Sequence, residues 1–177
     1  GEPEAALRML EQAATTLEEL ERIGDFAATI ERIGEMRESA EPGVARRLYA
    51  RAMRLYRESG YMWGVGRGLA RFARIALDDG YPDRCLELMA GAEALAPAGE
   101  ENDRAVVDRA RAALGEGTSA ACRAAGLAMP LERLLRLADE LVPAVEIAVA
   151  PELVGRIPVE PRTSAGAGSG GAPAGSG

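Results

Sequence analysis

The first apolar residues of the chain recur at intervals of three and four positions. They are Ala6, Leu10, Ala13, Leu17 and Leu20. This spacing places them on one face of a helix, with most of the glutamates on the opposite face. The pattern therefore predicts an amphipathic helix from Pro3 to Ile23, and Gly24 is expected to end it.

Four further helices are predicted along the chain, with glycine and proline at the turns. Asp25 is expected to cap the second helix, because its carboxylate can accept a hydrogen bond from a free backbone amide. The third lies within residues 41–60 and ends at Gly60, since glycine adopts a left-handed cap without steric cost. The fourth and fifth run from Trp63 to Leu77 and from Asp83 to Leu95.

These helices form pairs that recur about every 40 residues, a period typical of helix-pair solenoids. In the second helix of each pair, a small residue is followed four positions later by a larger one and three positions after that by alanine. The three sets are Ala6, Ala45 and Cys85, then Leu10, Tyr49 and Met89, then Ala13, Ala52 and Ala92. Small residues at fixed places predict close contact between paired helices.

The last of these pairs resembles the tetratricopeptide repeat. The matching positions are Leu69, Phe72, Ala73, Ala76, Cys85, Met89, Ala92 and Pro97. The resemblance implies an all-α fold, a right-handed solenoid of tetratricopeptide-like helix pairs that binds a protein or peptide partner. It places Ala73, Cys85 and Ala92 at the tight contact between the two helices of one repeat.

Residues 110–135 resemble, without gaps, the segment that closes the repeat region of bacterial (actinobacterial-like) ATPase-type LuxR and antibiotic-regulatory transcriptional regulators. The agreeing positions are Ala112, Leu114, Gly115, Glu116, Ala120, Ala121, Gly126, Pro130, Leu131 and Glu132. Ser119 and Arg123 depart from it, because that family usually has aromatic residues there. The resemblance covers residues 1–140 and implies the regulatory or sensor segment of such a regulator. The alternative is a free-standing adaptor repeat protein without a transcriptional role.

Three parts follow from these patterns. Residues 1–142 are expected to form the helical repeat domain. Residues 143–160 are predicted to be extended, because valine and isoleucine alternate between interrupting prolines. Residues 161–177 have the composition of a disordered Gly/Ala/Ser linker, and a linker at this place suggests a further domain beyond it.

The first helices of the two repeats differ in charge. By resemblance to tetratricopeptide repeats, their side chains would line the inner wall of the solenoid and form a groove for a peptide of mixed charge. The candidate groove consists of Glu31, Glu35, Glu38, Arg67, Ala70, Arg74, Leu77 and Asp78. The alternative is that these charges, with Arg71, pair with one another across adjacent helices, where exposed pairs add little stability.

Two other features admit both a functional and a structural interpretation. Residues 64–68 read GVGRG, but no strand precedes them and no Gly-Lys-Ser/Thr follows, so helix packing is favoured over phosphate binding. Tyr56, Tyr61 and Trp63 are either partner anchors or side chains that hold helix ends together. An anchor would have to be exposed.

Composition argues against several kinds of activity. A net charge of −7 disfavours nucleic-acid binding by this segment. Cys85 and Cys122 lack the spacing of a metal site or a disulfide framework and are expected to be buried packing residues. Without histidine there is no obvious base to activate a nucleophile, so no catalytic site, cofactor or metal is expected.

The predicted location is the cytoplasm, because neither a signal sequence nor a long apolar run is evident and no membrane contact is expected. The first helix matches the second helices of later pairs. It is therefore expected to leave an apolar strip uncovered, through which the protein could self-associate.

Overall fold

A computed structural model describes residues 1–96 and 101–144, except for the side chains of residues 101 and 102. This part of the chain contains eight α-helices and no strand, which confirms the all-α prediction. The helices are α1 (Glu2–Glu19), α2 (Ile23–Arg37), α3 (Pro42–Glu58), α4 (Met62–Asp78), α5 (Pro82–Leu95), α6 (Glu101–Leu114), α7 (Glu116–Ala128) and α8 (Leu131–Asp139). Pro97, nearly all of the predicted extended segment and the predicted linker lie outside the described residues.

The first turn differs from its prediction. Helix α1 ends at Glu19, while Gly24 and Asp25 both lie in the first turn of α2. The chain reverses earlier because Glu21 takes the left-handed conformation, with φ of 54°. Asp25 therefore does not cap α2 and instead forms an ion pair with Arg22.

Glycine occupies the corresponding position of the α3–α4 and α4–α5 turns. Gly60 has φ of 73° and Gly80 has φ of 86°, so the prediction for Gly60 is confirmed. The backbone amide of the residue after each glycine donates a hydrogen bond to the carbonyl oxygen five residues earlier, with an N···O distance of 2.8 Å. This hydrogen bond is the signature of a Schellman motif, which satisfies the free carbonyls at a helix end.

Helices α2–α5 contain most of the core. Helix α2 packs closely on α3, and α4 packs closely on α5. Ala73 and Cys85 are fully buried and Ala92 nearly so, as expected for residues at close helix contacts. Gly34 shows how close such contacts become: a Cβ atom there would lie 2.6 Å from the ring of Tyr49. The small side chains thus set the distance between helices.

Helix α1 presents a different face to the core from the predicted one. Ala14 is buried and Leu10 and Leu17 are half-buried, whereas Ala6, Ala13 and Leu20 are exposed. The contact face also includes Leu7, which packs against the core. The predicted face is therefore wrong by part of a turn.

Helices α6–α8 bury fewer side chains. In α7 only Ser119 and Gly126 are buried, and a Cβ at Gly126 would lie 2.3 Å from the carbonyl oxygen of Glu87. The backbone of α7 therefore rests directly on α5. Helix α8 is amphipathic and turns Leu134 and Leu135 inward.

Candidate functional site

An open groove of about 900 Å³ lies along α2, α4 and α6, with part of α5 and Arg123 of α7 completing it. The structure brings five of the eight predicted groove residues to this surface. They are Glu31, Glu35, Arg67, Ala70 and Arg74. Glu38, Leu77 and Asp78 are not in its lining: Leu77 packs against the core and exposed Asp78 lies 3.4 Å from Arg109.

Glu31 is the centre of a polar network in the groove wall. Only 7% of its surface is exposed, and its carboxylate accepts three hydrogen bonds. The donors are the hydroxyl of Tyr56 at 2.9 Å, Arg67 at 3.1 Å and Arg71 at 3.2 Å. Burial, followed by the nearby Glu31 carboxylate, raises the pKa of Tyr56 above its ordinary value of 10. Tyr56 is therefore held as a neutral donor.

Glu35 continues this network toward solvent. It accepts hydrogen bonds from Arg71 at 2.7 Å and from Arg32 at 2.8 Å. Burial acts to raise the pKa of Glu35, but the bonds and charges of the two guanidinium groups outweigh it and leave the pKa below 4.5. Arg71 also stacks on Tyr49, with its guanidinium carbon 4.2 Å from the ring centre. Arg71 thus joins two carboxylates and an aromatic ring.

The ion pairs of the charged helices agree only in part with either interpretation of the groove. Arg67 pairs with Glu31, as the ion-pair interpretation expected. Arg74 does not pair with either predicted glutamate, because its guanidinium lies 2.8 Å from Asp103 of α6. Arg71, which the predicted groove omitted, makes the contacts with both glutamates. The expected acidic side of the groove is therefore already neutralised by arginine.

Helix α6 supplies a wall that the sequence analysis did not predict. Its groove-lining residues include Arg104, Val107, Asp108 and Arg111. Arg104 and Arg111 are exposed, and neither forms an ion pair with a residue whose side chain is described. The sequence signal was the seven-residue spacing of these arginines, which places both on one helix face.

The aromatic cluster has a buried end and an exposed end. Tyr56 is buried, while Tyr61 and Trp63 are 48% and 47% exposed. The rings of Tyr56 and Tyr61 meet edge to face, with centroids 5.5 Å apart. Arg67 lies 5.1 Å above the ring of Trp63, which lines the groove. The cluster packs a helix junction and also leaves two aromatic surfaces open to a partner.

The remaining candidate chemistry is limited. Gly64 lies inside α4, and a Cβ there would come within 2.6 Å of Tyr56, so the glycine-rich stretch permits helix packing. Burial raises the pKa of the Cys85 thiol to about 11, whereas Cys122 is only half-buried, which corrects its predicted burial. Within the described residues, we find neither a cluster suited to hold a metal ion nor a helix long and apolar enough to cross a membrane.

Comparison with known proteins leaves the groove as the main guide to function. No protein-family model matches the chain, and no curated protein or solved structure matches it.

Proposed function

We propose that this chain is a cytoplasmic protein-interaction scaffold, and that it serves as the regulatory or sensor segment of an ATPase-type bacterial transcriptional regulator. In this proposal, α2–α5 form tetratricopeptide-like repeats of a right-handed solenoid. The observation that carries the proposal is the open groove along α2, α4 and α6. Its volume lies within the range of about 300–1,000 Å³ typical of ligand-binding clefts.

The lining of the groove supports protein binding. Its apolar lining includes half-buried Val107 and the nearly buried Ala70 and Met89, and arginine and acidic side chains surround it. Exposed Trp63 adds an aromatic side chain of the kind that contributes strongly to protein interfaces. Such a combination provides contact area and orientation.

The position of the groove also agrees with the repeat interpretation. The first helices of the proposed pairs, α2 and α4, line it together with part of the second helix α5, whereas α3 contributes no lining residue. In a solenoid of helix pairs, stacked equivalent helices form one extended surface of this kind. The regulator, in preference to the free-standing adaptor, is supported by the resemblance of residues 110–135.

Trp63 allows a direct test of binding, because it is the single tryptophan of the chain and lines the groove. We expect peptides that occupy the groove to change its fluorescence emission. Tyr81→Trp in a Trp63→Phe background is a matched reporter, since Tyr81 is similarly exposed and is not in the lining. A peptide series that binds without changing Trp63 emission, or that changes both reporters equally, would contradict the groove proposal.

A second experiment separates the regulator from the adaptor. The native polypeptide that carries this chain should be purified and its mass and ATP hydrolysis measured. The regulator proposal expects an ATPase domain in the same polypeptide and a hydrolysis rate that changes when groove residues are substituted. A polypeptide without such a domain would favour the adaptor.

Helix α1 supports a further proposal, self-association. Met9 in α1 is 70% exposed, and Leu20, just beyond the end of the helix, is 64% exposed. Ala6 and Ala13 on the same helix are also exposed. Sedimentation should show association that Met9→Glu weakens and Gln12→Glu, with the same charge change, does not. A monomer at all concentrations would contradict this proposal.

A further inference from the structure

When its ion pairs are taken into account, the groove has an excess of positive charge among the described residues. Among the described residues, six arginines and five acidic residues line it, although the whole chain has a net charge of −7. Four of the five acidic residues already have an arginine partner. They are Glu31, Glu35, Glu93 and Asp103. The fifth acidic residue, Asp108, forms no ion pair among the described residues, and neither do Arg104 and Arg111.

We propose that the groove binds an acidic peptide segment of a partner protein, with its carboxylates held by Arg104 and Arg111. This inference rests on the proposed function of the groove and specifies the chemistry of its occupant. It replaces the mixed-charge peptide expected from sequence, because the glutamates that would have held cationic side chains are occupied by Arg67 and Arg71.

The spacing of the arginines defines the arrangement of the acidic groups. Arg104 and Arg111 lie seven residues apart on α6, which corresponds to a rise of about 10 Å on one helix face. Arg67 and Arg74 have the same separation on α4. The two helices therefore line one groove with arginines at matched intervals, and guanidinium groups bind carboxylates with two parallel hydrogen bonds.

The apolar residues that line the groove favour a peptide with apolar side chains between its acidic ones. Ala70, Ala92 and Ala96 are small, and Met89 and Val107 are the larger apolar residues beside them. An acidic segment that also carries leucine would contact both the apolar lining and the arginines of α6.

A nucleic acid fits this surface less well than a peptide. Glu93 and Asp103 stand among the arginines and form pairs with Arg123 and Arg74 at 2.6 Å and 2.8 Å. Phosphate groups following the groove would meet these carboxylates, whereas nucleic-acid binding depends on clustered excess positive charge. A peptide can place its acidic side chains only near Arg104 and Arg111, which form no ion pair among the described residues.

The test uses a fluorescein-labelled peptide of Glu-Leu-Glu-Ala repeats and measures fluorescence anisotropy with the full chain. We expect saturable binding that weakens as ionic strength rises, because salt screens charge pairs. Changing Arg104→Glu and Arg111→Glu together should weaken binding on the order of tenfold. The matched control is Arg133→Glu with Arg136→Glu, because these arginines are also exposed, lack described ion pairs and lie on α8 away from the groove.

The outcomes separate this inference from the proposed function. Equal loss of binding in both double variants, tighter binding of the corresponding lysine peptide, or displacement by single-stranded DNA at similar concentration would each overturn the acidic-peptide inference. If other peptides change Trp63 emission while the acidic one does not, this inference fails and the groove proposal stands. If no peptide changes it, both fail. Circular dichroism of each variant verifies that the helices are intact.

Discussion

Helices α2–α5, the central region, and helices α6–α8, the C-terminal region, are held in place by different interactions. The central region buries large apolar side chains such as Phe72, Leu48 and Leu88 completely. The C-terminal region buries few, and α8 and its C-terminal end are held to α3 and α5 partly by the ion pairs Arg57–Glu132 and Arg84–Glu140. Exposed pairs of this kind contribute about 0–1 kcal/mol each, so most of the stability belongs to the central region.

This difference runs through the groove itself. The wall formed by α4 is part of the dense core, whereas the wall formed by α6 buries mainly Val106 and Ala110. Regions with few buried apolar contacts open at lower free energy than the core. The groove therefore has a firmly held wall on α4 and a more weakly held wall on α6.

The largest expected effect is loss of a central core side chain. Phe72→Ala should lower the free energy of unfolding by about 3–5 kcal/mol, because it removes a fully buried ring and leaves a cavity. Leu127→Ala in α7 is the comparison, since Leu127 is exposed and should change stability by less than about 0.5 kcal/mol. Urea denaturation measures both. Similar losses would show that the two regions are not distinguished by packing.

The second effect tests the close helix contacts. Ala73→Leu should cost about 1–3 kcal/mol, because Ala73 is fully buried between helices and added atoms would overpack the contact. Ala121→Leu, on the exposed side of α7, should be nearly neutral. Thermal melting checks this pair. A neutral Ala73→Leu would mean that the predicted repeat register is wrong.

A smaller effect concerns the turns before and within the central region. Glu21→Gly should raise stability by about 0.5–1 kcal/mol, because glycine relieves the strain of a left-handed backbone. Gly60→Ala should lower it by about 1 kcal/mol at the equivalent turn, where open space leaves only the backbone cost. Melting temperatures that move in the same direction for both variants would contradict the shared turn geometry.

The smallest effect is the pH dependence of one carboxylate in each region. The pKa of Glu35 is lowered, so its stabilising contribution is present above about pH 4.5 and is lost as pH falls below that value. The pKa of Asp139 in α8 is raised by burial, with Arg54 opposing the shift, so its ionised form costs stability that is regained as pH falls. Glu35→Gln should therefore flatten the loss of stability in acid, and Asp139→Asn should steepen it. The free energy of unfolding of each variant should be measured between pH 3 and pH 7. The same change in its pH dependence for both variants would contradict this prediction.

The sequence by itself determined the helical framework. The fifth helix ends at Leu95 as predicted, and Gly60 ends the third because a left-handed residue is needed there. Five of the eight predicted groove residues, including Glu31 and Arg67, lie along one groove in the structure. These features depend on the spacing of residues within one helix or turn, and this information is local.

The tertiary structure decided which of these residues meet. Glu21 provides the first left-handed turn against its intrinsic preference, and α1 turns Ala14 toward the core where the sequence suggested Ala13. Arg74 pairs with Asp103, 29 positions away, although glutamates on α2 seemed the natural partners. Ion pairs and buried faces depend on the distance and rotation between helices, which side-chain packing fixes only when all the helices are assembled. The net charge that remains in the groove after ion pairing therefore depends on the tertiary structure.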